Sequence, residues 1–215
     1  MKKIAVFGAG GFGREVVMLI EQINDQKKQW DIIGFYDDGE EKGKIINDYP
    51  VLGGIEEINQ IADPIYLVLA IGDPSTKKKI HNSIKNTAIS YPTLIHPNVQ
   101  MGKKQFIKIG EGCIITAGNI LTVNIELEKH VILNLCCTVG HDTLLKDYSS
   151  FMPSVNISGE VLIGECVFVG TGAKIINQLE IGNNTFVGAG SVVTKDLPSN
   201  CTAVGIPAKP IKFHT

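Results

Sequence analysis

The chain has 215 residues, 44% of them hydrophobic, and a formal net charge of −2. That length accommodates one large or two small domains, and the weak charge offers no basic surface for a nucleic acid backbone. Because the sequence contains no run of eighteen apolar residues and its five cysteines form no zinc-binding pattern, we expect a cytoplasmic protein without a membrane span or a metal site.

The first predicted element is a buried strand that runs into glycines. Residues 2–8 (KKIAVFG) predict the strand, and residues 8–13 (GAGGFG) open a helix. A GxGxxG turn in this setting lets the backbone approach a phosphate, and the helix N-terminus offers unpaired N–H groups. We therefore predict a phosphate cradle for a nucleotide. NAD binding and a purely structural glycine turn are the alternatives.

Two more strands and a helix follow. Residues 32–36 (IIGFY) and 65–71 (IYLVLAI) predict buried strands, and residues 77–85 lie on a helix that Ser75 or Thr76 can cap. Strands that alternate with helices are typical of a parallel sheet, here of about four strands. We expect a small Rossmann-like α/β domain.

The strand predicted over residues 32–36 is followed by an acidic pair, Asp37 and Asp38. An acidic residue at this place suits a ribose or a base edge. The segment is about half as long as a dinucleotide-binding fold, which favours a single nucleotide over NAD. We therefore predict a nucleotide-sugar-binding domain over residues 1–90 and a different domain over residues 91–215.

From Ile109 to Val193 an apolar residue occupies every sixth position without interruption. A period of six fits neither a helix nor a simple strand and is typical of hexapeptide-repeat solenoids. Each hexad predicts a short strand and a corner, and three hexads form one triangular coil. Five coils are expected from the inward-pointing residues, which are Ile109, Ile115, Leu121, Leu127, Leu133, Val139, Leu145, Phe151, Ile157, Ile163, Val169, Ile175, Ile181, Val187 and Val193.

The corners of such coils need a positive φ, which Gly and Asn adopt readily. Ile95 and Met101 keep the six-residue period, but Met101 and Ile109 lie eight residues apart. We therefore expect a partial sixth coil with a two-residue bulge near Lys103 and Lys104. The asparagines predicted to supply positive φ are Asn119, Asn124, Asn177, Asn183 and Asn184.

One histidine falls on an outward-facing corner. His141 precedes Asp142 in the segment TVGHD, at a position that cannot fill the core. A neighbouring carboxylate orients an imidazole for general base catalysis near neutral pH. An ordinary solvated histidine is the alternative. A carbonic anhydrase built on the same solenoid needs three zinc-bound histidines, and the repeat contains only His130 and His141.

Nine motifs follow one another from end to end: GAGGFGREVV, FYDD, LAIGD, LIHPNV, VGHD, PSVNISG, VFVGTGA, VGAGSVVTKDLP and VGIPAKPIK. With them the whole chain resembles the sialic acid O-acetyltransferase group of left-handed β-helix acyltransferases. Within that group it is most similar to the UDP-4-amino-sugar N-acetyltransferases, such as the UDP-N-acetylbacillosamine and perosamine N-acetyltransferases. The left-handed coil is implied by this resemblance, because a hexapeptide period does not define handedness.

The resemblance implies roles for particular positions. His141 is the expected general base, Asp142 orients it, and Asn134 lies close by in the catalytic site. Acetyl-CoA is expected in a groove between adjacent solenoids of a homotrimer, near Ser150, Gly159, Thr171 and Ala189. Relatives often carry a histidine where this chain has Ser150, so that contact comes from a hydroxyl or is absent. The nucleotide sugar is expected at Gly8, Gly10, Gly11, Arg14, Asp37, Asp38, Ala70, Ile71 and Gly72.

The predicted reaction is direct transfer of an acetyl group from acetyl-CoA, the cosubstrate, to the amino group of a nucleotide-linked amino sugar. His141 takes the proton of the amine, and neither a metal nor an acyl-enzyme is required. Such a reaction serves the biosynthesis of surface glycans or glycoproteins. An O-acetyltransferase acting on a sugar such as sialic acid and a non-catalytic nucleotide-binding trimer scaffold are the alternatives.

Overall fold

A computed structural model describes residues 1–214 and begins with a four-stranded parallel sheet. The elements in chain order are β1 (Lys2–Phe7), α1 (Gly11–Gln26), β2 (Trp30–Tyr36), β3 (Ile45–Ile46), β4 (Tyr49–Pro50), α2 (Ile55–Gln60), β5 (Ile65–Leu69), α3 (Pro74–Ser83) and β6 (Ile89–Ser90). The sheet has the strand order β2-β1-β5-β6, and β3 pairs with β4 in a separate antiparallel ribbon. The small Rossmann-like sheet predicted from the sequence is confirmed.

Helix α3 begins two or three residues earlier than the sequence predicts. Asp73 is its N-cap, and the Asp73 carboxylate accepts the backbone N–H of Thr76 at 2.8 Å. Pro74 occupies the first helical position, where its fixed φ fits and its missing N–H costs nothing. The prediction that Ser75 or Thr76 caps this helix is therefore wrong, because the proline fixes the cap at the residue before it.

The rest of the chain is a triangular solenoid whose three sides are parallel sheets. Face 1 consists of Leu94–Ile95, Ile114–Ile115, Ile132–Leu133, Ser150–Phe151, Phe168–Val169 and Phe186–Val187, and the antiparallel pair Cys201–Gly205 and Ala208–Phe213 extends it. Face 2 consists of Ile120–Leu121, Thr138–Val139, Asn156–Ile157, Lys174–Ile175 and Val192–Val193. Face 3 consists of Lys108–Ile109, Glu126–Leu127, Leu144–Leu145, Leu162–Ile163 and Glu180–Ile181.

The second residue of each solenoid strand points into the prism and is stacked on its counterpart in the next coil. Leu133 pairs with Phe151, for example, which lies eighteen residues later. All the predicted inward residues are buried except Ile109, which is partly exposed in the first complete coil. The partial coil is also confirmed, because Leu94 pairs with Ile114 across twenty residues and a turn forms at residues 103–104.

The corners depart from the prediction. Every sixth residue from Phe106 to Gly190 has a positive φ, whatever its side chain. Asn124 and Asn184 follow the expectation, whereas Asn119, Asn177 and Asn183 do not have a positive φ. A left-handed conformation costs a non-glycine residue on the order of 1 kcal/mol. The hydrogen bonds between stacked coils hold these residues there, so the corner geometry is imposed by the ladder and not by residue type.

The N-terminal domain packs on the outside of face 1. Leu94, Ile114 and Ile132 point outward from this face and share one buried apolar cluster with Val16 and Ile20 of α1. The predicted boundary near residue 90 falls between β6 and the first solenoid strand. Among residues 1–214, no helix has both the length and the apolar character needed to cross a membrane.

Candidate active site

His141 and Asp142 form a hydrogen-bonded pair at the corner that joins face 2 to face 3. The Nδ1 atom of His141 lies 2.8 Å from Oδ2 of Asp142, and the two side chains are 53% and 49% exposed. Asp142 has a φ of 57°, one of the positive values that recur at the corners. Hydrogen bonds from Asn124 and then from His141 lower the pKa of the Asp142 carboxyl. The carboxylate is therefore ionised at neutral pH and accepts a hydrogen bond from the Nδ1–H of His141.

The other ring nitrogen of His141 lies over the backbone of the next coil. A Cβ atom at Gly159 would stand only 2.4 Å from Nε2 of His141. A larger residue at this position therefore has to displace the imidazole. With Nδ1 donating to Asp142, Nε2 is the nitrogen that carries the free lone pair. Gly159 was predicted as a cofactor contact, and the structure places it directly beside the predicted base.

Asn134 lies on a different corner, between face 1 and face 2. Its side chain is buried, and its Oδ1 atom accepts the backbone N–H of Leu135 at 2.7 Å. Within one chain the whole width of face 2 separates this corner from His141. A catalytic role for Asn134 beside His141 stays a prediction, and it requires the corner of a second copy.

The glycines between β1 and α1 divide into two kinds. Gly8 has a φ of 104°, and a Cβ at Gly13 would lie 1.8 Å from the carbonyl oxygen of Gly8. These two glycines are needed for the turn itself. At Gly10 and Gly11 a Cβ would meet no atom within 4 Å. Gly10 is the N-cap of α1 without a side-chain hydrogen bond, so the first turn of the helix is open to an anion.

Arg14 follows one turn into α1. Its Nη1 atom donates to the carbonyl oxygen of Ala9 at 3.3 Å, so the guanidinium lies against the glycine loop. This position leaves the remaining N–H groups of the guanidinium available for a phosphate oxygen. The structure thus brings Arg14 together with the open glycines, as the resemblance implies.

The acidic pair supports the cradle from the side. The Asp37 carboxylate accepts the N–H of Ala9 through Oδ2 and the N–H of Gly39 through Oδ1, both at 2.8 Å. Asp38 accepts the N–H of Ile55 at 2.9 Å, at the start of α2. Both side chains line a cleft of about 310 Å³. Asp37 therefore fixes the glycine loop, and a ribose hydroxyl can use only its remaining lone pairs.

The remaining residues of the predicted nucleotide site, Ala70 to Gly72, lie between the glycine loop and the solenoid. Ala70 donates its backbone N–H to Phe7 at 2.8 Å, which continues the pairing of β5 with β1. A Cβ at Gly8 would lie 2.9 Å from both the carbonyl oxygen of Ala70 and the Cδ1 atom of Ile71. At Gly72 a Cβ would lie 3.9 Å from Cε of Met152, on the corner between face 1 and face 2. Gly72, at the end of this segment, therefore lies beside that corner.

The predicted cofactor contacts fall on two corners. Thr171 and Ala189 are exposed in successive coils between face 1 and face 2, where the carbonyl oxygen of Thr171 accepts the N–H of Gly190 at 2.8 Å. Gly159 lies on the corner of His141. One chain therefore does not gather all three residues into a single groove.

Ser150 lies beneath α3 and not in a groove. Its side chain is fully buried, and its Oγ atom accepts a hydrogen bond from Nζ of Lys77 at 2.9 Å. Burial lowers the pKa of Lys77 to about 7. The hydroxyl of Ser150 is thus committed to the domain interface in this structure. Sequence reasoning missed Lys77, because a lysine in the run Lys77 to Lys79 is typical of a solvated helix face.

No group of His, Cys, Asp and Glu side chains suited to a metal ion occurs within residues 1–214. His130 is buried on the corner between face 3 and face 1, a different corner from that of His141. The two histidines of the repeat, His130 and His141, therefore lie on different corners. The cysteines are all free thiols, and the buried ones are Cys113, Cys137, Cys166 and Cys201, whereas Cys136 is exposed.

Comparisons with known proteins match this architecture in both halves. Residues 3–84 match the PglD N-terminal domain, and residues 160–195 match the bacterial transferase hexapeptide repeat. The GDP-perosamine N-acetyltransferase of Escherichia coli O157:H7 is 29% identical over 99% of this chain and 97% of its own length.

Solved structures extend the agreement to three dimensions. The acetyltransferase domain of PglB from Neisseria gonorrhoeae FA1090, in complex with acetyl coenzyme A, is 31% identical with a TM-score of 0.88, over 98% of this chain and 99% of that one. PerB from Caulobacter crescentus, in complex with CoA and GDP-perosamine, is 26% identical with a TM-score of 0.88, over 99% and 98% of the two chains.

Fold and site together define a hexapeptide-repeat acyltransferase with a left-handed β-helix and an N-terminal parallel-sheet domain of the PglD type. More narrowly, the chain belongs to the perosamine and UDP-4-amino-sugar N-acetyltransferase family. The resemblance stated from the sequence is confirmed.

Proposed function

We propose that the protein transfers the acetyl group of acetyl-CoA to the amino group of a nucleotide-linked 4-amino sugar. The observation that carries this proposal is the presence, in one chain, of an oriented His141 on a hexapeptide solenoid and an open nucleotide cradle at Gly10 and Gly11. Similar proteins include a GDP-perosamine N-acetyltransferase and a PerB structure with CoA and GDP-perosamine bound. The product contributes to a surface glycan or glycoprotein.

The chemistry needs a neutral amine, because only its lone pair attacks the thioester carbonyl. As the N–C bond forms, Nε2 of His141 accepts the proton that the nitrogen loses, and Asp142 stabilises the resulting imidazolium through Nδ1. The C–S bond then breaks, and the CoA sulfur leaves as a thiol after taking up this proton. General base catalysis of this kind contributes about 10² to 10⁴ in rate.

The active site is shared between copies in a homotrimer. Gly72 of the predicted nucleotide site lies beside Met152 on the corner between face 1 and face 2, whereas His141 lies on the corner between face 2 and face 3. Thr171 and Ala189 belong to the first corner and Gly159 to the second. A groove between two solenoids, in which the second corner of one copy faces the first corner of the next, brings both sets together around acetyl-CoA.

The reaction takes place in the cytoplasm, where acetyl-CoA and nucleotide sugars are available. Acetyl transfer to a panel of UDP-, GDP- and dTDP-linked 4-amino sugars, followed by mass spectrometry, tests the activity and identifies the nucleotide. A mass gain of one acetyl group on a nitrogen is expected. A gain only on a hydroxyl would support an O-acetyltransferase, and the absence of any gain would support a non-catalytic scaffold.

The role of the base is tested with His141→Ala. We expect kcat to fall by at least about 10²-fold with unchanged affinity for acetyl-CoA, because the imidazole acts on the proton in transfer. His214→Ala removes another exposed histidine and serves as the matched control. Equal loss of cofactor binding in His141→Ala would contradict the base assignment. Light scattering that gives a monomer mass at micromolar concentration would contradict the shared groove.

A further inference from the structure

Asp142 is held by a second residue in addition to His141. The Nδ2 atom of Asn124 donates to Oδ1 of Asp142 at 2.9 Å, while Oδ2 lies 2.8 Å from Nδ1 of His141. Each carboxylate oxygen therefore has its own partner. These two contacts together define the plane of the carboxylate and the direction in which Oδ2 faces the imidazole.

The coil stacking puts Asn124 in this place. Asn124 lies eighteen residues before Asp142, at the same corner of the coil below, and the two residues have φ values of 54° and 57°. The backbone N–H of Asp142 donates to the carbonyl oxygen of Val123 at 3.1 Å. The backbone register thus aligns the two side chains before either makes its hydrogen bond.

The coil above carries another carboxylate at the same corner. Glu160 lies eighteen residues after Asp142, and its Oε2 atom accepts a hydrogen bond from Nε2 of Gln178 at 3.2 Å. Stacked coils are about 4.8 Å apart, so two unrestrained carboxylates would repel each other here. Asp142 instead accepts a hydrogen bond from the amide of Asn124 in the coil below, and Glu160 accepts one from the amide of Gln178 in the coil above.

We propose that Asn124 is a positioning residue for catalysis, which holds Asp142 so that the imidazole of His141 keeps its proton on Nδ1 and presents Nε2 to the substrate amine. This inference rests on the proposed function, in which His141 is the base. Asn124 itself does not contact the reacting atoms. Its amide acts only through Asp142. A residue that merely stabilised the corner would affect the enzyme whether or not Asp142 is present, so the two roles can be distinguished by experiment.

Two substitutions test the proposal. Asn124→Gly keeps a residue that tolerates positive φ and removes the amide, and we expect kcat to fall about 3- to 10-fold with unchanged KM for both substrates. Asn124→Asp keeps the shape but places a carboxylate against Asp142, and we expect a larger fall in kcat. Asn184→Gly is the matched control, because Asn184 has a φ of 55° and donates to Oδ1 of Asn200 at 3.0 Å at another corner. The control should keep wild-type kcat.

A double-mutant cycle separates positioning from stability. In an Asp142→Ala background, Asn124→Gly should cause no further loss of kcat, because the residue through which it acts is gone. A wild-type kcat in Asn124→Gly, or the same fractional loss with and without Asp142, would overturn the proposal.

The ring nitrogens of His141 provide a readout that does not depend on the reaction. In the wild type, ¹⁵N NMR is expected to show one protonated nitrogen and one with a free lone pair. In Asn124→Gly the two signals should move toward each other as the tautomers mix. Unchanged signals would overturn the proposal. If the wild type transfers no acetyl group while the signals still move, the proposed function fails and the positioning by Asn124 stands.

Discussion

Replacement of the buried Lys77 by methionine should change how the stability of the protein depends on pH. Lys77 lies on the buried side of α3 with 1% of its surface exposed, and its Nζ atom has the Oγ atom of Ser150 as hydrogen-bond partner at 2.9 Å. Burial lowers the pKa of Lys77 from 10.5 to about 7, against smaller opposing effects of Cys113, Cys166 and Asp73. Lys77→Met keeps the length of the side chain and removes the titrating group.

The sign follows from proton binding. Between pH 7 and 10.5 the unfolded lysine is protonated and the folded one is largely neutral, so the unfolded state binds more protons and stability rises with pH. The cost of burying the amine is fully present below the folded pKa. One proton contributes about 1.4 kcal/mol per pH unit, which gives a gain of about 1.5 kcal/mol for the wild type relative to Lys77→Met from about pH 7 to pH 8.5.

Urea unfolding of both proteins at several pH values in this range measures the difference in the free energy of unfolding. The comparison with the variant is necessary because burial raises the pKa of Cys113 to about 11 and of Cys137 to about 12. These thiols destabilise the fold at higher pH; the effect of Cys137 cancels between the two proteins, and the range up to pH 8.5 keeps Cys113, which interacts with Lys77, below its raised pKa. Lys78→Met is the control, since Lys78 is partly exposed and its ion pair with Glu165 raises its pKa. A pH-independent difference between wild type and Lys77→Met would refute the reasoning.

Two further predictions concern the acid limit and the glycine loop. Burial, with smaller effects of neighbouring cations, lowers the pKa of His130 to about 3, so stability should fall by about 1.4 kcal/mol per unit as the pH drops below 6.5. His130→Phe keeps a ring against Tyr148 and should reduce this loss of stability in acid unfolding curves. An unchanged loss of stability below pH 6.5 would contradict the role of His130. Gly13→Ala, whose Cβ would lie 1.8 Å from Gly8, should destabilise the fold by about 1–3 kcal/mol, measured by urea unfolding. Gly10→Ala should instead keep its stability and raise KM for the nucleotide sugar.

The period-six pattern predicted the solenoid because each inward residue reports directly on burial. The same pattern did not predict which residues adopt a positive φ. His130, Asp142 and Tyr148 have this conformation through the hydrogen bonds of the stacked coils and not through any preference of their own. The sequence pattern therefore predicts the strands of the three faces well, whereas residue type predicts the backbone conformation at the corners poorly.

The site was predictable where a motif acts locally. His141 and Asp142 are adjacent in sequence, and their contact follows from a single corner. The contact of Asp142 with Asn124 follows only when the chain is read at a spacing of eighteen residues, the length of one coil. The hydrogen bond from the N–H of Ala9 to the Asp37 carboxylate joins two separate loops of the sheet. No spacing rule indicates that Asp37, the residue predicted to bind the ribose, already accepts hydrogen bonds from the backbone.

A last prediction tests the division of the site between copies. In the proposed trimer, each groove takes its base from one copy and its nucleotide cradle from the next. His141→Ala removes the base, and Gly10→Val fills the open space of the cradle, so each variant alone should be inactive. With random mixing after co-expression, about one groove in four combines an intact base with an intact cradle and should recover activity.

Co-expression of His141→Ala with Asp142→Ala is the matched control, because both changes damage the same corner and no mixed groove carries an intact His141–Asp142 pair. Any activity recovered there measures only what the single variants retain. Steady-state acetyl transfer by the purified mixed oligomers provides the measurement. If the base and cradle mixture is no more active than this control, each chain carries a complete site along its own face 2. The nucleotide sugar would then have to span the distance from the predicted nucleotide site, whose Gly72 lies beside Met152, to the corner of His141 within one chain.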